Sequence, residues 1–163
     1  MPKKDYPLIY VVEDNMAFGQ IVAHHLKINK YTNVTLFISG EECLKHLNAK
    51  PDIVIQDYKL QGISGLNVLE QAKKILPHTE FIFLSAQDNA DIAVDTMKAG
   101  AFDYIVKNEV ALHRILQNIG NIITLQKQKK HNRLQRLLIY LFTVFIILLV
   151  IALTMAYRTK TPL

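Results

Sequence analysis

Cysteine is nearly absent from this sequence, with only Cys43 among 163 residues. A single thiol cannot form an internal disulfide, which excludes the small disulfide-stabilised domains. Acidic residues are absent from 127–163, which carry seven Lys and Arg, whereas 1–126 carry 12 Lys and Arg against 14 Asp and Glu. The net charge of +5 therefore arises in the tail and is a poor argument for nucleic-acid binding. The first apolar run, 8–12, is too short for a signal peptide.

The first 126 residues alternate short apolar runs with amphipathic stretches. The apolar runs predict strands at 8–12, 33–38, 52–56, 80–84 and 102–106. The amphipathic stretches predict helices at 15–28, 39–48, 65–76, 88–99 and from 109 onward. Strands that are apolar almost throughout and alternate with helices are typical of a parallel sheet covered on both faces, in an α/β fold.

The tail contains 21 consecutive residues without a charge, at 137–157. As a helix this segment measures about 31 Å, the thickness of a bilayer core, and we expect it to span the membrane once. The alternative is a buried core helix, for which the five βα units leave no room. The expected organisation is a domain at 1–126, a basic juxtamembrane helix or linker at 127–136, a transmembrane helix at 137–157 and a short extracytoplasmic tail at 158–163.

Five polar residues follow the predicted strands, where the carboxyl ends of a parallel sheet form one edge. They are Glu13, Asp14, Asp57, Ser85 and Lys107. Clustered carboxylates repel one another and need a cation, and an all-oxygen set favours Mg²⁺. A lysine and a hydroxyl beside them suit an incoming phosphoryl group. The set is therefore typical of phosphoryl transfer to a carboxylate, with Asp57 as the nucleophile.

Four motifs ending predicted strands carry a family resemblance. They are Val-Glu-Asp-Asn at 12–15, Val-Ile-Gln-Asp at 54–57, Leu-Ser-Ala at 84–86 and Ala-Gly-Ala-Phe-Asp-Tyr-Ile-Val-Lys at 99–107. Residues 8–126 resemble the receiver domain of bacterial two-component response regulators. The resemblance implies a flavodoxin-like fold: a five-stranded parallel sheet of order 2-1-3-4-5, flanked by five helices.

The resemblance also assigns roles to particular residues. Asp57 matches the phosphoacceptor, which becomes 4-aspartylphosphate, and Lys107 matches the lysine that bridges to the phosphoryl group. Asp14 matches the direct Mg²⁺ ligand, and Glu13 is its neighbour, which often acts through water. The backbone carbonyl of Lys59 matches a further Mg²⁺ ligand.

A switch pair follows from the same resemblance. Ser85 matches the hydroxyl that moves to the phosphoryl group, and Tyr104 matches the aromatic residue that turns inward behind it. This pair implies that phosphorylation changes the face formed by the fourth helix, the fifth strand and the fifth helix.

We therefore expect a membrane-anchored, stand-alone receiver, phosphorylated from the phosphohistidine of a sensor histidine kinase or phosphotransfer protein. It would not be an enzyme beyond its own phosphorylation and dephosphorylation, and it would signal by binding an unknown downstream protein. Five basic residues before the span against two after it predict a cytoplasmic receiver at the cell inner membrane. Homodimers there are a further expectation.

Three alternatives remain open at this point. The chain could be a receiver-fold adaptor or scaffold that is never phosphorylated, although the intact residue set argues against this. It could also be a phosphate sink. A DNA-binding regulator that uses the basic tail is the third, but basic residues beside a long apolar run fit lipid headgroups better, and we expect no nucleic-acid partner.

Two departures from the family pattern concern loops. Asn108 stands where proline usually follows the lysine. Because a cis bond before a residue other than proline costs about 3 kcal/mol, we expect a trans Lys107–Asn108 bond. The loop after the phosphoacceptor reads Leu60-Gln61-Gly62 without the usual proline, and we expect this loop to be more flexible than in the family.

Overall fold

The chain folds around a five-stranded parallel sheet. The computed structural model describes residues 6–160, without the side chains of 149, 151 and 153–160. The strands are β1 (Ile9–Val12), β2 (Val34–Phe37), β3 (Ile53–Asp57), β4 (Glu80–Ser85) and β5 (Asp103–Val106). They pair in the order β2-β1-β3-β4-β5, and every pairing is parallel. The predicted α/β fold and strand order are confirmed.

Within residues 6–160, five α-helices connect or follow the strands. They are α1 (Met16–Ile28), α2 (Gly40–Lys45), α3 (Gly65–Ile75), α4 (Ala90–Lys98) and α5 (Ala111–Lys160). All positions of β1 and β3 are buried, as expected for central strands covered on both faces.

Two helix ends differ from the predictions. Helix α2 ends at Lys45 rather than near residue 48, because the chain tightens into a 3₁₀ turn that buries Leu47. Helix α4 is capped by Asn89 rather than Asp88, since the Asn89 Oδ1 accepts from the Asp91 amide at 2.8 Å.

Glycine at position 65 lets α3 start directly against β3. A Cβ on Gly65 would clash with the carbonyl oxygen of Asp57 and lie 3.1 Å from the Gln56 Nε2. The Gln56 side-chain amide also donates to the Gly65 carbonyl. The end of the strand that carries Asp57 and the start of the next helix are therefore in direct contact.

The described chain divides into two compact units after Ile122. The first contains the sheet, α1 to α4 and the start of α5. The second contains the rest of α5, where large apolar side chains between Leu134 and Leu148 are exposed. The predicted divisions near 126, 136 and 157 remain predictions, and residues 161–163 of the predicted tail lie outside the described residues.

The predicted transmembrane helix is not found. Among the residues that the structure describes, no helix is long and apolar enough to cross a membrane. Within the predicted span, the side chains of 149, 151 and 153–157 lie outside the described residues.

Candidate functional site

Three carboxylates meet at the carboxyl edge of the sheet. Glu13 and Asp14 follow β1, and Asp57 ends β3, the strand paired directly with β1. One oxygen from each of the three side chains lies within 4.8 Å of the others. Glu13 and Asp57 are buried, whereas Asp14 is partly exposed. The parallel register thus creates a concentrated negative charge that is open to solvent on one side.

Lys107, one residue beyond β5, brings the compensating positive charge. Its Nζ donates to Asp57 Oδ2 at 2.6 Å and to the Glu13 oxygens at 2.8 and 3.0 Å. The same ammonium lies 4.7 Å from the centroid of the Phe18 ring, within the range of a cation–π contact. Sequence reasoning did not single out Phe18, because nothing in the first turn of α1 indicates that its ring reaches the end of β5.

The pKa values of Glu13 and Lys107 are both raised in this cluster. Burial raises the pKa of Glu13 to about 7, and the charge of Asp57 adds to this, although Lys107 acts in the opposite direction. Burial alone would lower the pKa of Lys107, but its bonds to Asp57 and Glu13 outweigh burial and raise it. Lys107 therefore stays charged, while Glu13 holds a proton up to about neutral pH.

Ser85 and Tyr104, the two predicted switch residues, contact the same residue. The Ser85 Oγ accepts from the Gln87 amide at 3.0 Å, and the Tyr104 hydroxyl donates to the Gln87 carbonyl at 2.7 Å. Both side chains are buried. Gln87 was missed by sequence reasoning, because it takes part through its backbone and its residue type gives no signal.

Comparison with known proteins identifies the family. The family model described as Response regulator receiver domain matches residues 9–120. The chain belongs to the response regulator receiver family. The DNA-binding transcriptional regulator NtrC of Escherichia coli K12 is 33% identical over 101 residues, and the luminescence regulatory protein LuxO of Vibrio campbellii is 30% identical over 76. These matches cover 61% and 46% of this chain, but only 21% and 17% of the two relatives.

Solved receiver structures have the same fold. A receiver domain from Clostridium thermocellum is 32% identical with a TM-score of 0.68, and covers 74% of this chain and 96% of its own length. A CheY-like receiver from Methanospirillum hungatei JF-1 has a TM-score of 0.70 at 24% identity, over 77% of this chain and 99% of its own. The second likeness concerns the fold alone.

The carboxylate cluster of this receiver suits Mg²⁺. All three side chains offer hard oxygen ligands, and these lie within 4.8 Å of one another. Glu13, Asp14 and Asp57 would hold the ion. The Lys59 amide donates to Asp57 Oδ1 at 3.0 Å, so Lys59 adjoins the cluster. The role of its carbonyl as a ligand stays a prediction.

The peptide bond after Lys107 is trans, as predicted, since the described residues contain no cis peptide bond. Asn108, which replaces the usual proline, has a local function instead. Its Oδ1 accepts from the Val110 amide at 3.1 Å, and its carbonyl accepts from the Ala111 amide at 3.1 Å. These bonds form the turn before α5 and explain why this helix begins at Ala111 rather than at residue 109.

The raised pKa of Glu13 predicts a pH-dependent stability in metal-free protein. The pKa of this carboxyl is ordinarily 4.5 and is about 7 in the folded protein. The bound proton therefore stabilises the fold fully below about pH 4.5. It is lost as the pH rises through about 7. We expect the free energy of unfolding of the wild type to fall by about 1–3 kcal/mol relative to Glu13→Gln from about pH 4.5 to about pH 7.5.

Urea unfolding in the presence of a chelator measures this difference. Glu70→Gln is the matched control, because it makes the same substitution at an exposed position on α3. A pH-independent difference between the wild type and Glu13→Gln would contradict the interpretation.

Proposed function

We propose that this receiver accepts a phosphoryl group on Asp57 from the phosphohistidine of a sensor histidine kinase or phosphotransfer protein. The observation that carries the proposal is the position of the Lys107 ammonium, which binds Asp57 and Glu13 at once beside the three-carboxylate cluster. A buried carboxylate with a cation on one side and a set of metal-binding oxygens on the other suits nucleophilic attack on a phosphoryl group.

In this reaction an Asp57 oxygen forms the new P–O bond while the P–N bond of the phosphohistidine breaks. The electron pair of that bond returns to the imidazole nitrogen, which takes up a proton. Bound Mg²⁺ would neutralise charge on the transferred group. Lys107 would follow the phosphoryl oxygens from its present position on Asp57 Oδ2, and the Lys59 amide would keep the carboxylate oriented through Oδ1.

We propose that the signal leaves the site through Ser85 and Tyr104. The Ser85 hydroxyl can donate to a phosphoryl oxygen, which would turn it away from the Gln87 amide that it now accepts from. Gln87 also holds the Tyr104 hydroxyl, so the rearrangement would reach β5 and α4. The output would be phosphorylation-dependent binding of another protein, and the only catalysis would be the chain's own phosphorylation and dephosphorylation.

We also propose that the C-terminal part of α5 anchors this receiver to the cell inner membrane as a single pass, with the receiver in the cytoplasm. The support is the uncharged run 137–157 and the exposure of its described side chains, with Leu138, Phe142 and Phe145 each more than half exposed. Five Lys and Arg precede this run, as expected for a cytoplasmic flank.

Phosphorylation of Asp57 is tested by labelling with a small-molecule phosphodonor and Mg²⁺. Asp57→Asn preserves the shape of the side chain and removes the nucleophile, so we expect no acid-labile, hydroxylamine-sensitive phosphate. Asp14→Ala should slow labelling by at least about tenfold at limiting Mg²⁺, because a metal ligand is lost. The exposed Asp91 on α4 provides the matched control Asp91→Asn, which should label like the wild type. Labelling of Asp57→Asn at the wild-type rate would refute the proposal, and would favour an adaptor that is not phosphorylated on Asp57.

The switch is tested with Ser85→Ala, which removes the hydroxyl and keeps the backbone. We expect labelling within about threefold of the wild type, because Asp57 and Lys107 are unchanged. In the wild type, labelling should alter amide hydrogen exchange at 86–90; in Ser85→Ala this response should be lost. Ser64→Ala, which removes a helix cap on α3, is the control and should keep the response. A full response in Ser85→Ala would exclude the predicted route.

The anchor is tested by membrane fractionation and protease protection of the full-length chain and a truncation after Lys130. The full-length chain should stay in the membrane after alkaline extraction, with the receiver digested only from the cytoplasmic side, and the truncated chain should be released. Ile147→Arg should weaken insertion, since a central arginine costs about 2.5–3.5 kcal/mol, whereas Gln135→Arg outside the run should not. A truncated chain that remains in the membrane pellet would contradict the anchor.

A further inference from the structure

The loop between β3 and α3, residues 58–64, lies beside the phosphoacceptor and lacks the proline that usually stiffens it in this family. Both ends of the loop are nevertheless fixed. The Lys59 amide bonds to Asp57 Oδ1 at 3.0 Å, and the Gly65 amide bonds to the Tyr58 carbonyl at 3.2 Å. Leu60 is buried in the core. The part that needs a further restraint is the segment 61–63 between Leu60 and the cap of α3.

Glu41 supplies a restraint for this segment from outside the loop. It lies in the first turn of α2, and its Oε1 accepts a hydrogen bond from the Ile63 amide at 2.9 Å. The bond joins residues 22 positions apart. This bond from a loop amide to a side chain ties the loop backbone to α2.

Gly62 is the residue that lets the Glu41 carboxylate approach. Its φ of +85° lies in the left-handed region that favours glycine. A Cβ at this position would also clash with Glu41 Oε1 and lie 3.1 Å from its carboxyl carbon. Position 62 therefore favours glycine for two independent reasons: the backbone conformation, and the space that the Glu41 carboxylate occupies.

Helix α2 is packed closely enough to hold Glu41 in place. A Cβ on Gly40 would clash with Val68 and lie 2.9 Å from the Ile63 side chain, so α2 and the end of the loop are in contact.

The pKa of Glu41 is lowered by hydrogen bonds from the Glu41 amide and from the Ile63 amide. The carboxylate is therefore charged at neutral pH, which strengthens the bond that it accepts.

We propose that Glu41 is a positioning residue for the phosphoacceptor site, which holds the loop 58–64 so that the Lys59 carbonyl is presented to Mg²⁺. The inference rests on the proposed function, because it assigns to this loop a role in metal binding. Glu41 acts through the loop backbone and does not touch the reacting atoms. The bond that Glu41 accepts, together with the buried Leu60, compensates for the absence of proline. These two restraints argue against the looser loop that the sequence predicts.

The test compares Glu41→Ala, Glu41→Gln and Glu42→Ala in the full-length chain, with Mg²⁺ as the probe. Glu41→Ala removes the acceptor for Ile63, whereas Glu41→Gln retains an oxygen that can accept the same bond. Glu42→Ala is the matched control, because Glu42 occupies the same turn of α2 and contacts the Ile38 amide rather than the loop. It reports the effect of weakening α2 alone.

Two measurements are made on each variant: the Mg²⁺ dissociation constant by calorimetry, and amide hydrogen exchange of residues 58–64 without metal. For Glu41→Ala we expect Mg²⁺ binding about 3- to 30-fold weaker, in the range seen when an outer hydrogen-bond partner of a metal site is lost, and faster exchange in the loop. The rate of labelling at saturating Mg²⁺ should remain near that of the wild type. Glu41→Gln should stay within about threefold of the wild type in both measurements, since it keeps a neutral acceptor.

Several results would overturn the proposal. Unchanged Mg²⁺ affinity in Glu41→Ala would do so, and so would an equal loss in Glu42→Ala, which would indicate general damage to α2. If Glu41→Ala does not fold, Gly62→Ala tests the same bond from the other side and should weaken Mg²⁺ binding to a similar extent. If the wild type binds Mg²⁺ but is not labelled, the proposed phosphoacceptor function fails while calorimetry and exchange still decide the role of Glu41.

Discussion

The contact between the Lys107 ammonium and two buried carboxylates is the interaction on which the site depends. Bringing Glu13 and Asp57 together at the end of a parallel sheet creates negative charge in a place with little water. Without a cation the cluster would be unstable, because the desolvation of two carboxylates would be uncompensated. Lys107 supplies that cation. Burial raises the pKa of Glu13 to about 7, so a proton also neutralises this carboxyl below about neutral pH. The clustered carboxyl oxygens of Glu13, Asp14 and Asp57 suit a hard metal ion.

The fold provides this contact through register rather than through any long loop. Strands β1 and β3 are neighbours, so Glu13 and Asp57 follow paired positions. Lys107 reaches them from β5, at the end of the sheet order, across β4. The glycine at position 65 then lets α3 begin immediately beside Asp57. Strands β1, β3, β4 and β5 therefore contribute the polar residues of the site at one edge of the sheet.

The sequence was sufficient to predict the elements that depend on local pattern. The apolar runs located all five strands, and the acids after the first and third runs form the carboxylate cluster. The contacts missed are of another kind. The Phe18 ring beside Lys107 and the bond from the Ile63 amide to Glu41 join residues distant along the chain. Their formation depends on side-chain geometry that periodicity does not encode. The predicted end of α2 was wrong because burial of Leu47 in a 3₁₀ turn overrode local helix propensity.

The bonds to Gln87 have a consequence for how the surface beside the site can vary. Ser85 and Tyr104 both bond to the backbone of this residue, through its amide and its carbonyl, while its side chain is exposed. Any residue with an amide hydrogen can supply these two groups, and only proline lacks one of them. Substitution of Gln87 by any residue but proline therefore changes the exposed surface beside the site and keeps both bonds.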